Sequence, residues 1–185
     1  MKPMPELGTV LLQLARAAIA REFGQSAPAA ADLPELHAPG ATFVTLTQRG
    51  ELRGCIGSLQ AWRPLIDDVR DNARNAAFRD PRFPPLAADE LPATRVEVSL
   101  LTTPQPMPFA GEADALGQLR PNVDGVIFSA AGRRSTFLPQ VWEQLPEPAV
   151  FMARLKQKAG LAADYWGPDV RLERYEVRKW KESPR

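Results

Sequence analysis

The chain has 185 residues, 44% of them hydrophobic and 24% charged, with 23 basic and 22 acidic side chains leaving a net charge of +1. This is ordinary globular composition, long enough for one good core or two small, closely packed lobes. So even a charge balance offers no footprint for neutralising phosphates, which argues against general DNA or RNA binding and leaves only a phosphate-bearing small ligand open.

One cysteine excludes an internal disulfide, and one cysteine with one histidine excludes thiolate and imidazole zinc clusters. No motif implies a cofactor or a metal. The opening Met1-Lys2-Pro3-Met4-Pro5-Glu6 lacks the basic and apolar regions of a secretory signal. The best candidate for a membrane span, Val10 to Ala20, contains Gln13 and Arg16. The expected compartment is the cytoplasm, with no membrane association.

In chain order, Leu7, Val10, Leu11, Leu14, Ala18 and Ile19 recur at helical spacing and Gly24 follows as a cap, predicting an amphipathic first helix. Ser26 to Gly40 reads as a loop holding the single His37. Thr42 to Thr47 is a β-branched run followed by Gln48-Arg49-Gly50 and then Leu52-Arg53-Gly54-Cys55-Ile56-Gly57-Ser58, which predicts a hairpin. A three-residue loop with Gly50 left-handed sets Leu46 opposite Leu52 and Val44 opposite Gly54, with Arg53 and Cys55 sharing the other face. On that register a guanidinium stands beside the thiol and favours thiolate.

Pro64 opens a second helix with Leu65, Val69, Ala73, Ala76 and Ala77 as its apolar stripe, ending near Phe78. Arg79 to Leu86 is too proline-rich for a helix or a central strand and reads as an ordered connector. Thr94 to Leu101 alternates as a strand. A proline-rich linker, Thr103 to Pro108, precedes a helical stretch from Ala113 to Leu119. Gly125 to Leu138 reads as a second hairpin, Gln140 to Gln144 as a short helix, and Ala149 to Ala159 as a longer one capped by Gly160.

The chain closes with a strand whose alternation changes phase between Leu172 and Tyr175, as a bulge near Glu173-Arg174 would cause. Helices and strands in no regular βαβ order predict an α+β fold of mostly antiparallel sheets. The 19 prolines, about twice average usage, stiffen the loops.

The chemistry-bearing segment is Arg53 to Gly57, where two glycines flank the only thiol and imply that something approaches the backbone closely, either a ligand or another element. Cys55 reads as a nucleophile or redox thiol, or as a small residue packed in a strand. A nucleophilic cysteine needs a base and an orienting group, and His37 is the only imidazole on offer. Glu97, flanked by Val96 and Val98, is an acid–base candidate or a solvent-facing carboxylate. Asp80 and Arg82 either grip a ligand or bond each other and the loop backbone.

Together, Phe43-Val44-Thr45-Leu46, Leu52-Arg53-Gly54-Cys55-Ile56-Gly57, Asn72-Ala73, Ala76 to Phe83, Glu97-Val98-Ser99 and Thr136-Phe137-Leu138-Pro139-Gln140-Val141-Trp142 resemble the AMMECR-type domain family, whose microbial members are called AmmeMemoRadiSam system protein A. The likeness runs from the first helix to the final strand. Arg133-Arg134-Ser135 departs from the family's glycine-containing turn.

The resemblance implies a single domain, residues 1–185, of two unequal and closely associated lobes. It implies a cleft near the Arg53-Gly54-Cys55 strand and a place in a system with a Memo-like protein and a radical S-adenosylmethionine protein. It makes Arg53, Gly54, Cys55, Gly57, Asn72, Asp80, Arg82 and Gln140 candidate site residues. Two functions follow: a module that binds a ligand or partner, or an enzyme that acts through Cys55 on an anionic small substrate.

Overall fold

A computed structural model describes residues 6–184. The chain divides into two compact units, Met1–Leu101 with Arg178–Arg185 and Thr102–Val177. Each carries one antiparallel sheet with helices, the α+β class expected from the mixed order of elements.

The first unit begins with α1 (Leu7–Glu22), whose buried face runs through Val10, Leu11, Leu14, Ala15, Ala18 and Ile19. It ends as predicted, with Gly24 N–H on the Arg21 carbonyl and Gln25 N–H on the Ala20 carbonyl, the paired bonds that satisfy a helix's last acceptors. Next come β1 (Ala41–Gln48), β2 (Glu51–Gly57), α2 (Leu65–Phe78) and β3 (Arg95–Leu101). With β8 (Val177–Lys181) the strands stand in the order β2-β1-β3-β8. Val44, Leu46, Val96 and Val98 meet α1 and α2 in one core with Val69, Ala73 and Ala76.

The second unit holds β4 (Gln105–Pro106), α3 (Glu112–Gln118), β5 (Gly125–Ala130), β6 (Arg133–Phe137), α4 (Pro148–Lys158) and β7 (Arg171–Tyr175), its sheet ordered β4-β7-β5-β6. Its core is aromatic: Trp142 stacks on Phe151 at 3.7 Å between ring centroids and donates its indole N–H to the Asp124 carbonyl at 2.7 Å. In sequence this unit is inserted between the neighbouring strands β3 and β8. Its two ends are tied by Thr102 N–H to the Glu176 carbonyl and Glu176 N–H to Thr102 Oγ1, both at 2.8 Å.

Two sequence expectations are corrected. The closing strand is not one bulged strand: β7 belongs to the second sheet and β8 to the first, so the change of phase marks the chain leaving one sheet for another. The first hairpin has a two-residue turn, Arg49-Gly50, with both φ positive at 53° and 82°, and Gln48 faces Glu51. The register then shifts between Leu46 and Thr47, so that Leu46 faces Gly54 and Val44 faces Ile56. Arg53 is the extra, unpaired residue of the resulting bulge.

Candidate functional site

The bulge decides where Arg53 goes, because the extra residue of a bulge has its side chain re-aimed away from the strand's alternation. Its guanidinium does not stand beside Cys55. It donates Nε and Nη2 to Glu90 Oε1 and Oε2 at 3.0 and 3.1 Å, a two-pronged charge-assisted pair. Glu90 also accepts from Ala87 N–H at 2.8 Å and from Gln48 Nε2 at 3.2 Å. The Arg53 bonds above all, then that of Ala87, lower the Glu90 pKa from 4.5 to about 2.

The guanidinium that reaches Cys55 is that of Arg82. β2 is an edge strand, so Cys55 turns its backbone polar groups outward, where no further strand meets them. Two side chains from the connector after α2 take that place. Asp80 Oδ2 accepts Cys55 N–H at 2.9 Å, and Arg82 Nη2 lies 3.4 Å from the Cys55 carbonyl oxygen. Asp80 also accepts from Arg82 through Nε at 3.0 Å, Nη2 at 2.8 Å and the backbone N–H at 3.0 Å. The Arg82 bond first, with help from Cys55 N–H, holds the Asp80 carboxyl well below the usual carboxylate range against the opposing effect of burial. The same contact raises the Arg82 pKa, with a smaller contribution from Cys55.

Outward-turned backbone leaves the Cys55 and Thr45 side chains close across the strands, and Cys55 Sγ lies 3.2 Å from Thr45 Oγ1. The thiol is half-buried and its neighbour is a hydroxyl, not a base. His37 instead contacts Asp32 Oδ1 at 2.6 Å on the exposed surface. Glu97 faces Thr45 on β3 and is paired with Lys181 at 2.9 Å.

Both glycines of the segment are accounted for by packing. A β-carbon on Gly54 would stand 2.1 Å from the carbonyl oxygen of Ala76, and one on Gly57 would stand 2.3 Å from the Phe43 ring. What approaches the backbone is α2 on one side and a neighbouring side chain on the other.

Asn72 is buried within a second polar cluster. Its Nδ2 lies 3.0 Å from the Thr42 carbonyl, 3.1 Å from Ser58 Oγ and 3.0 Å from Asp68 Oδ2. Asp68, fully buried, accepts from Thr42 N–H, Thr42 Oγ1, Ser58 Oγ and Arg63 Nε at 2.6 to 2.9 Å. This cluster ties the first strand, the loop after β2 and the start of α2 together. Gln140 lies in the second unit, exposed on the short 3-10 helix Pro139–Glu143.

Sequence reasoning missed Glu90, Asp68 and Thr45. Glu90 had a local signal, the glutamate three residues into a helical turn that reaches back to the entering N–H. Asp68 lies in the first turn of α2, where an acid is ordinary, and nothing in its spacing marks a buried cluster. Among the described residues no group of three or more histidine, cysteine or acidic side chains is arranged to hold a metal ion. Among the described residues no helix is long and apolar enough to cross a membrane.

The AMMECR1 family model matches residues 12–180. A protein of Methanothermobacter thermautotrophicus is 37% identical over 181 residues, covering 95% of this chain and 94% of its own. One from Aeropyrum pernix is 35% identical over 185 residues, covering 95% and 79%. The crystal structure of an uncharacterised Pyrococcus horikoshii protein superposes with a TM-score of 0.76 at 31% identity, covering 96% of this chain and 92% of that one.

Proposed function

This chain belongs to the AMMECR1 family, and on that footing we propose that it is a non-catalytic component that binds a ligand or partner around β2, within a system containing a Memo-like and a radical S-adenosylmethionine protein. The observation that carries the binding reading is that the acids and bases nearest Cys55 are already committed. Asp80 is locked to the Cys55 N–H and to Arg82, and the thiol rests on Thr45 Oγ1. A nucleophilic cysteine needs a free base beside it. What the site offers instead is the Arg82 guanidinium, 54% exposed and fixed at the edge of β2, suited to holding an anionic group of a small molecule or peptide. The two named partners rest on the family likeness.

Two measurements test this. Cys55 of the folded protein is expected to react with iodoacetamide at pH 7 no faster than a cysteine in a short peptide. The tagged protein is expected to retain purified Memo-like and radical S-adenosylmethionine proteins from the same genome, less so after Arg82→Ala. Fast alkylation together with no retention overturns the proposal. A second reading, an enzyme acting through Cys55 on an anionic substrate, draws support from the cation of Arg82 beside that residue, and fast alkylation is its signature.

A further inference from the structure

We infer that Arg53 is a receptor for a carboxylate group, uncovered when the side chain of Phe83 swings aside; this rests on the binding reading above and names the chemistry of its ligand. Arg53 is 91% buried, and its Nη1 is, among the described residues, the buried side-chain polar atom without a hydrogen-bond partner. Glu90 takes the Nε and Nη2 edge of the planar group, so Nη1 presents its two N–H donors on the far edge. Buried donors are almost always paired in native structures, and one that is not calls for a role. A guanidinium cannot escape by losing its proton.

Phe83 lies against this group. Its ring centroid is 5.9 Å from the Arg53 Cζ and 5.6 Å from the Arg82 Cζ, so one ring lies against two cations. The ring offers them its π face but no lone pair for Nη1. It sits half-buried on the connector, whose backbone is stiffened by Pro81, Pro84 and Pro85 and pinned by Leu86 N–H on the Ala77 carbonyl at 2.8 Å. With the backbone held, the side-chain rotamer is the degree of freedom left. Its rotation withdraws the ring from the Arg53 guanidinium without moving β2.

Charge selects the class of ligand. Arg53 and Arg82 are matched by Glu90 and Asp80, so the cluster is neutral. A carboxylate leaves it at one negative charge where a phosphate dianion leaves two. A guanidinium edge also matches the two coplanar oxygens of a carboxylate. Nη1 is a donor only, which excludes cations.

The test follows the guanidinium resonances of Arg53 in ¹⁵N-labelled protein, assigned with Arg53→Lys. The protein is titrated with sodium acetate, N-acetylglycine, inorganic phosphate and sodium chloride at constant ionic strength. Acetate and N-acetylglycine are expected to give a saturable shift that chloride and phosphate do not. Tighter binding of acetate points to free small acids, and tighter binding of N-acetylglycine to a peptide C-terminus. Phe83→Ala, by removing the cover, is expected to tighten binding about tenfold, the penalty for a binding-competent state populated at roughly one part in ten. Phe83→Leu, which keeps an apolar cover, is expected to bind as the parent does and serves if the alanine variant does not fold. No saturable shift at Arg53, equal response to chloride, or an affinity indifferent to Phe83→Ala overturns the inference. Such a failure leaves Cys55 alkylation and partner retention unchanged, and a fast-reacting Cys55 together with no retention refutes the binding reading without altering the acetate titration.

Discussion

The carbonyl oxygen of Ala76 occupies the space that a side chain at Gly54 would need, 2.1 Å from where its β-carbon would lie. It is one of the last carbonyls of α2, which a helix leaves without an internal partner. The obstacle is backbone, so it does not move as a flexible side chain would. Gly54→Ala is expected to cost about 3 kcal/mol or more, at or above the top of the usual range for overpacking. A urea midpoint measured beside Gly117→Ala checks this. Gly117 lies in α3 with open space around it, and alanine there is expected to gain roughly 0.5 to 1 kcal/mol. Equal effects at the two positions would refute the packing account of the glycine-flanked strand.

Asp68 accepts four hydrogen bonds in a site closed to water, besides that from Asn72. Asp68→Ala strands Thr42 N–H and Arg63 Nε, although Arg63 Nη1 keeps its bond to Asp71, and is expected to destabilise the first unit by about 3 kcal/mol. Asp68→Asn, which keeps one acceptor, should cost less. Chemical denaturation followed by circular dichroism checks the ranking.

The Arg53 and Glu90 pair predicts a pH dependence whose sign is fixed. The folded Glu90 is more acidic than the unfolded one, about 2 against 4.5, so between those values the unfolded chain binds more protons. Its contribution is complete above about pH 4.5 and is lost as pH falls toward 2. Asp80, also depressed, acts in the same direction. Urea midpoints from pH 5 to pH 2 should decline, and Glu90→Gln should make the decline shallower. A slope unchanged by that substitution would dissociate Glu90 from acid sensitivity.

In the second unit Lys156 is 1% exposed, with its Nζ 2.7 Å from Glu112 Oε1 and 5.3 Å from the Trp166 ring centroid. Glu112 is 39% exposed, so the pair is buried on the lysine side; such a pair contributes little net stability, whereas removing the acid leaves a buried charge unpaired. Glu112→Gln is therefore expected to destabilise, and Lys156→Met to be neutral or stabilising. Thermal melts check this: a lower midpoint is expected for Glu112→Gln and an unchanged or higher one for Lys156→Met.

Much of the architecture was legible in the sequence because periodicity reports burial directly. The stripes of α1 and α2, the alternation of β3 and the glycine cap at Gly24 all appear where the pattern set them. The register of the first hairpin was not legible. Gln48-Arg49-Gly50 is compatible with a two- or a three-residue loop, and only the packing of Gly54 against Ala76 favours the bulge that sends Arg53 to Glu90. The neighbour of Cys55 was misjudged for that reason, and Arg82, 27 residues further along the chain, carries no local mark of its proximity. The final strand shows the same limit: a change of phase looks alike whether a strand bulges or passes from one sheet to another.

The order of the strands also has a consequence in time. β8, which pairs with β3 in the first sheet, leaves the ribosome only after all of Thr102–Val177 has been made. The first unit therefore waits, with one edge of β3 unpaired, while the inserted unit is synthesised. Domains tend to fold as they emerge, so the second unit can be complete before the first. A strand edge left unpaired for that interval is open to mispairing. A chain interrupted before β8 would release the first unit with its sheet one strand short.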